Sequence, residues 1–358
     1  MKGNMQERLT SVQMLSSSRR YRVGFLLLVL VVAALVYLKW SGAYLKYQAA
    51  AASNSMTEWL YLAGGPLWQQ PFLFTAAYFR DIWWATLLGL LAGGALMAFF
   101  PIGTFRKSLQ GEGLGKCLVG AMAASPLMMC ACCSSLLVPS LRQKGAGIGP
   151  SLAFWMASPS LHLGSIAIIA TLFSLEAALF RLLLAVGTSI GVASFLGARM
   201  GSKQIPSPSS LKGFLDFPES SSASFIQQWL GTTLRLARDL LPVAVVATFI
   251  IGLLKTYLFS EHFPLLQQTG PIHLLGVSLL GTLMMVPTLG EIPLVLSLMQ
   301  LGLSPSSAVA LLYSLPVVNL PSLFIVGRYL GWKVALAIGL LVTGVSFAGG
   351  LAWQLFLS

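Results

Sequence analysis

Apolar stretches of membrane-spanning length recur along this chain, and they leave little choice of fold. The candidate segments are 23–38, 78–100, 117–141, 149–171, 175–198, 239–258, 274–298, 304–326 and 333–355. A helix needs about 20 apolar residues to cross a hydrocarbon core roughly 30 Å thick. Only 9% of the 358 residues are charged, against roughly 25% in an ordinary soluble domain. A soluble protein could not clothe its surface with so few charges. The runs are continuous rather than alternating at period two, which selects helices over a membrane barrel. The expected fold is all-α, a polytopic membrane helical bundle.

Arg19, Arg20 and Arg22 precede the first apolar run, Val23 to Leu38. That order is shared with signal peptides. Lys39 and Lys46 follow the run, and the small residues Ala49 to Ala52 lie well beyond it. The run therefore reads as an uncleaved anchor helix behind a cytoplasmic N-terminus. The net charge of +12 is spread over many loops. Basic cytoplasmic loops account for it, whereas nucleic-acid binding needs a clustered footprint. No phosphate-binding Walker loop is present, so ATP hydrolysis by this chain is not expected. Nor are an enzymatic activity or a resident cofactor.

A shift of 157 positions brings the two halves into register. Met128 falls on Met285, Leu141 on Leu298, Gly145 on Gly302, Ala153 on Ala310, Pro159 on Pro316, Leu163 on Leu320, and His162 on Asn319. A shift of 158 superposes Arg80-Asp81 on Arg238-Asp239. Those acid–base neighbours are expected to pair locally at membrane ends. The chain divides into a tail, anchor and loop (1–77), a first membrane repeat (78–198), a polar linker (199–224) and a second repeat (225–358). Pro206, Pro208 and Ser220 to Ser222 mark the linker.

Charge then sets the topology. If every segment spans, about 12 Lys and Arg fall inside and about 10 outside. If 117–141 and 274–298 are re-entrant, the count becomes about 17 inside and about 5 outside, which fits the positive-inside rule far better. Pro126 and Pro139 interrupt the first of these segments, and Pro287 and Pro293 the second. Proline removes a backbone donor and clashes with the preceding turn, so these four are the expected helix breaks. A kinked full span is the alternative. With three full spans and one re-entrant segment per half, the second repeat is inverted relative to the first, a recurring transporter design.

All four cysteines fall in one segment, as Cys117, Cys130, Cys132 and Cys133. The densest run is Met128-Met129-Cys130-Ala131-Cys132-Cys133-Ser134-Ser135. Thiolates and thioethers are soft ligands that suit soft metals and metalloids. On a regular helix, Cys130, Cys132 and Cys133 spread over about 160°. Their sulfurs converge only if the tip is unwound. These residues, with Ser134, Met128 and Met129, are the expected substrate-binding set. The metal or metalloid would be transient cargo on the three cysteines. The alternative is small residues that let helices pack closely. Glu291 is the one acid inside an apolar segment away from its ends, and is expected to bind a cation or carry a proton for coupling. The alternative for Glu291 is an interfacial residue in a shallow segment. His162 and Asn319 are expected as supporting polar residues.

The cysteine turn closed by Pro139 is followed by Leu141-Arg142-Gln143-Lys144-Gly145-Ala146, then Ala153-Phe154 and Pro159. Gly290 to Pro293, Gly302 and Pro316 echo it. In this the chain resembles the predicted permease family that includes the ArsP organoarsenical exporters. The resemblance covers most of residues 78–350. It implies membrane transport in the inner (plasma) membrane, with export of trivalent methylated arsenicals as the characterised activity. It assigns metalloid binding to Cys130, Cys132 and Cys133. The expected partners are the lipid bilayer, a small soft-metal or metalloid solute, and protons. Two other readings stand beside it: a permease for another small solute with structural cysteines, and a membrane thiol–disulfide oxidoreductase using the C-x-x-C of Cys130 and Cys133.

Overall fold

The computed structural model describes residues 68–99, 108–127, 129–143, 145–200, 225–258, 270–286, 290–300 and 302–356. The expected anchor helix, most of the linker, Met128 and Pro287 lie outside the described residues. Within them, every regular element is a helix. The first half holds α1 (Gln70–Phe99), α2 (Leu114–Ala124), α3 (Ala131–Ser135), α4 (Leu137–Gln143), α5 (Ile148–Ser160), α6 (Leu163–Leu172), α7 (Leu175–Val186) and α8 (Ala193–Met200). A π-helical turn, Gly187–Val192, joins α7 to α8. The second half holds α9 (Phe225–Leu258), α10 (Pro271–Leu283), α11 (Glu291–Gln300), α12 (Pro305–Val317), α13 (Leu320–Leu330) and α14 (Trp332–Phe356).

Helix boundaries recur at the offset found in the sequence. Moved by 157, α2 starts where α10 starts, α5 coincides with α12, and α6 starts where α13 starts. The stretch from α7 to α8 likewise becomes α14. Local chemistry repeats with the boundaries. Gly113 and Gly270 precede α2 and α10. Gly145 and Gly302 precede α5 and α12 with φ of 92° and 100°, a left-handed conformation that glycine adopts without steric penalty.

The N-termini of α5 and α12 are satisfied differently. Ser304 caps α12 by accepting from the Ser307 N–H. Its counterpart Gly147 has no side chain. There the Glu112 carboxylate reaches in and accepts from the N–H groups of Ile148 and Gly149 at 2.6 and 2.8 Å. A negative charge is favourable at a helix N-terminus.

Among the described residues, three stretches are long and apolar enough to cross a membrane: Ile148–Leu172, Leu175–Met200 and Trp332–Phe356. The pair α12–α13, bent by 45°, makes a fourth if taken as one span. Segments 117–141 and 274–298 are broken, the first over Ser125–Cys130 and again after Ser135, the second from Met284. Two further breaks follow Pro159 and Pro316, in segments read from the sequence as continuous. Each proline lacks the N–H that would extend the helix hydrogen-bond ladder.

Helices α1 and α9 form the longest pair contact between the halves, and they run antiparallel. Gly94 abuts Thr233, and Gly252 abuts Pro71, with a Cβ at Gly252 falling 2.9 Å from the Pro71 Cα. Phe72 and Phe249 stack edge to face at 4.9 Å. The Trp229 indole donates to the Leu91 carbonyl. Helix α9 runs unbroken from Phe225 to Leu258, so the polar-flanked start of the second repeat and its apolar run form one helix.

The charge count for 117–141 has a direct test. A Cβ at Gly147 would run into the Gly111 carbonyl, so the probe positions are Gln110 and Lys144. In a background without native cysteines, Gln110→Cys and Lys144→Cys should both resist an impermeant thiol reagent applied outside, and both should label after permeabilisation. External labelling of the Lys144 position alone identifies a full span.

Candidate site at the broken segments

Helix α2 ends at Ala124 in a 3₁₀ turn over Ser125–Leu127 that contains Pro126. Cys130 is extended, with φ −69° and ψ 160°, and α3 starts at Ala131. The unwinding solves the geometric problem of three cysteines on one helix. Cys130 lies off the helix axis, while Cys132 and Cys133 occupy the first turn of α3. The Cys130 Sγ lies 3.1 Å from both the Cys132 Sγ and the Cys133 Sγ. All three sulfurs fall within 4.8 Å of one another. All four cysteines are free thiols. Cys117 stands apart, buried on α2 against Gly149.

Pro139 cannot donate to the Ser135 carbonyl, and α3 ends at Ser135. Pro293 stands at the same helical position, third in α11 as Pro139 is third in α4, where the missing N–H has no intrahelical partner to lose. The second break therefore lies upstream of Pro293. It includes Met284 to Val286, with Met284 extended at φ −64° and ψ 138°.

The polar backbone exposed by the first break is bound by the end of α5. Ser125 donates to the Leu161 carbonyl at 3.1 Å, and the Met129 N–H donates to Ser158 Oγ at 3.2 Å. The Trp155 indole donates to the Ala131 carbonyl at 3.0 Å. Ser134 donates to the Trp155 carbonyl at 3.2 Å. That carbonyl is the one Pro159 leaves without an N–H donor, four residues back along the helix. Ser135 turns inward to the Cys132 carbonyl at 2.7 Å. Ser134 and Ser135 are fully buried and hold the turn, while Met129, Cys132, Cys133 and Met285 share one core cluster.

His162 and Asn319 hold equivalent structural posts. His162 Nδ1 accepts from the Ser165 N–H at 3.0 Å, capping α6. Asn319 Oδ1 accepts from the Ser322 N–H at 3.0 Å, and Ser322 Oγ accepts from the Asn319 N–H at 3.0 Å. This capping box opens α13.

Glu291 is the first residue of α11 and is 2% exposed. Its Oε1 lies 3.3 Å from Arg181 Nη2 on α7, with both side chains buried. The sequence reading missed Arg181. Its signal was visible: a cation in mid-segment 175–198, which carries the same implication as an acid there. A second link between the halves lies two turns along. Thr188, in the π turn, hydrogen-bonds the Tyr313 hydroxyl on α12.

An all-helical bundle of apolar segments, broken at two equivalent places with polar and soft-donor side chains at the breaks, defines a multi-pass membrane protein of permease type. Residues 67–355 match the ArsP_1 family, described as predicted permease, and the chain belongs to that family. It is 27% identical over 331 residues to the UPF0718 protein YraQ of Escherichia coli K12, covering 91% of this chain and 94% of that protein. It is 24% identical over 297 residues to the UPF0718 protein MJ0584 of Methanocaldococcus jannaschii, covering 65% of this chain and 80% of that protein. No solved structure matches the chain.

The ion pair yields a prediction on stability. Removing one partner of a buried pair costs about 3–5 kcal/mol, whereas replacing both with apolar residues is close to neutral. Arg181→Met or Glu291→Leu should each lower the unfolding midpoint in detergent. The double variant should recover most of the loss.

Proposed function

We propose that this permease exports a thiophilic solute, such as a trivalent arsenical, across the inner membrane. Cys130, Cys132 and Cys133 are its transient ligands. The reading rests on one observation: three free sulfurs converge at a broken helix. Sulfurs bound about 2.3 Å from one centre stand roughly 4 Å apart. The observed triangle needs only a small opening to reach that size. Met129 adds a thioether to the surroundings, and Met128 is assigned the same part. Ser134 completes the turn. The bound metal or metalloid is substrate, and no resident metal is required.

The two repeats are read as inverted. Gly94 and Gly252 occupy equivalent positions at the 158 shift, each abutting the other helix of an antiparallel pair. A twofold relation perpendicular to both helices supports opposite orientations in the membrane, with the N-terminus cytoplasmic. Glu291 is assigned to proton coupling, since a carboxylate at a helix break inside the bilayer is functional by default.

The close approach of Cys130 to Cys132 and Cys133 also suits a thiol–disulfide relay, and one set of variants separates the readings. Cys132→Ser, Cys133→Ser and the triple Ser variant should abolish efflux of phenylarsine oxide from loaded cells while the protein still reaches the membrane. Loss of a soft ligand weakens binding far more than a small volume change weakens packing. Undiminished efflux by the triple variant removes the ligand role, and a cycling disulfide in the native protein favours the relay.

The coupling role has its own test. Glu291→Gln keeps the shape and removes the titration, so it should lose gradient-driven accumulation in everted vesicles while retaining solute exchange. Unaltered proton-driven transport removes the coupling role.

A further inference from the structure

Arg181 is poorly explained as half of a stabilising pair. Its side chain is about 1% exposed, yet a single contact of 3.3 Å joins it to Glu291. Its Nε and Nη1 are buried with no hydrogen-bond partner. Buried guanidinium groups are tolerated when their donors are taken up, and are costly otherwise. The pair also sits at the N-terminus of α11, a helix of 10 residues. Its first N–H groups have no intrahelical acceptor, and its dipole favours negative charge. Donors from two elements of opposite halves thus meet at one buried place, with only one carboxylate among the described residues to serve them.

We propose that Arg181 and the first turn of α11 form a binding site for a small oxygen-donor anion, a carboxylate or an oxyanion, for which Glu291 holds the place. The guanidinium suits such anions through directed, charge-assisted hydrogen bonds. Glu291 is the internal competitor. While it is charged and paired, the site is neutral. An incoming anion would leave a net negative charge in a low-dielectric interior, so it enters together with a proton on Glu291. The protonated carboxyl becomes a donor. By the 157-residue correspondence Glu291 stands where Ser134 stands in the first half. Ser134 donates to the carbonyl freed by Pro159. The equivalent carbonyl freed by Pro316 is that of Leu312, on α12, against which α11 packs.

Few other groups can supply this charge change. On the helices packed against α7 and α11, the remaining titratable side chains are Glu176 at the start of α7, Tyr313 bonded to Thr188, and Lys333 at the start of α14. Glu176 is five residues from Arg181, about 140° around the helix.

This inference rests on the permease assignment and not on the arsenical reading, so its test uses no thiophilic solute. The purified protein is titrated calorimetrically with acetate, sulfate and phosphate at acidic and neutral pH. Two buffers of different ionisation heat report the protons taken up. At least one anion should bind the native protein, more tightly at acidic pH, with uptake of a proton. Glu291→Gln removes the competitor, so it should bind that anion at least about tenfold more tightly at neutral pH, without proton uptake. Arg181→Gln combined with Glu291→Gln leaves no lone buried charge and should bind none. The triple Ser variant of the cysteines should bind like the native protein. The proposal is overturned if none of the three anions binds the native protein or Glu291→Gln. It is equally overturned if binding survives in the double variant, or if the native protein binds without taking up a proton.

Discussion

Backbone polar groups cannot be left bare inside a hydrocarbon layer, where each costs several kcal/mol. Every interruption of a helix in this protein has to answer that demand. In the first half the answer is the end of α5. Its Ser158, its indole and the carbonyls of Trp155 and Leu161 bind the broken stretch from Ser125 to Ser134. The cysteine turn therefore exists because a second proline-interrupted helix lies beside it. Each break supplies hydrogen-bond partners for the polar groups of the other. The cysteines inherit their convergence from this arrangement rather than from a disulfide among themselves.

The halves share a frame and differ in chemistry. Positions equivalent at the 157 offset hold Ser134 and Glu291, or His162 and Asn319, or Gly147 and Ser304. The second pair kept one task with different side chains, since both residues cap the helix that follows. The first pair diverged. A hydroxyl that only holds a carbonyl stands opposite a carboxylate paired with a cation from the other half. Soft donors lie in one half and the charged pair spans both, so the two breaks are chemically distinct stations on a common scaffold.

Much of this was legible in the chain. Runs of apolar residues gave the helical bundle, and the 157 offset anticipated helix boundaries to the residue at α5 and α12. The Cys130–Ser135 run pointed to an unwound tip because three thiols at that spacing diverge on a regular helix. Other features needed three dimensions. Pro159 and Pro316 appeared only as matched positions, because their effect depends on what receives the released carbonyl. Arg181 stood in view among ten apolar residues and Glu176 in α7, but its partner Glu291, 110 residues away, had no local signal. Glu112 caps a helix 36 residues away, and a contact of that range has no local signal.

The antiparallel face between α1 and α9 carries an implication about descent. Gly94 against Thr233 and Gly252 against Pro71 are two copies of nearly one contact, so each helix offers the surface that the other requires. Such a surface is isologous, the kind that closes a symmetric dimer. On the inverted reading proposed above, a half-length chain bearing it would pair with a copy of itself lying the other way up in the bilayer. Fusion of two such copies would free each half to change independently. The cysteines could gather on one side and the carboxylate settle on the other without either being imposed twice.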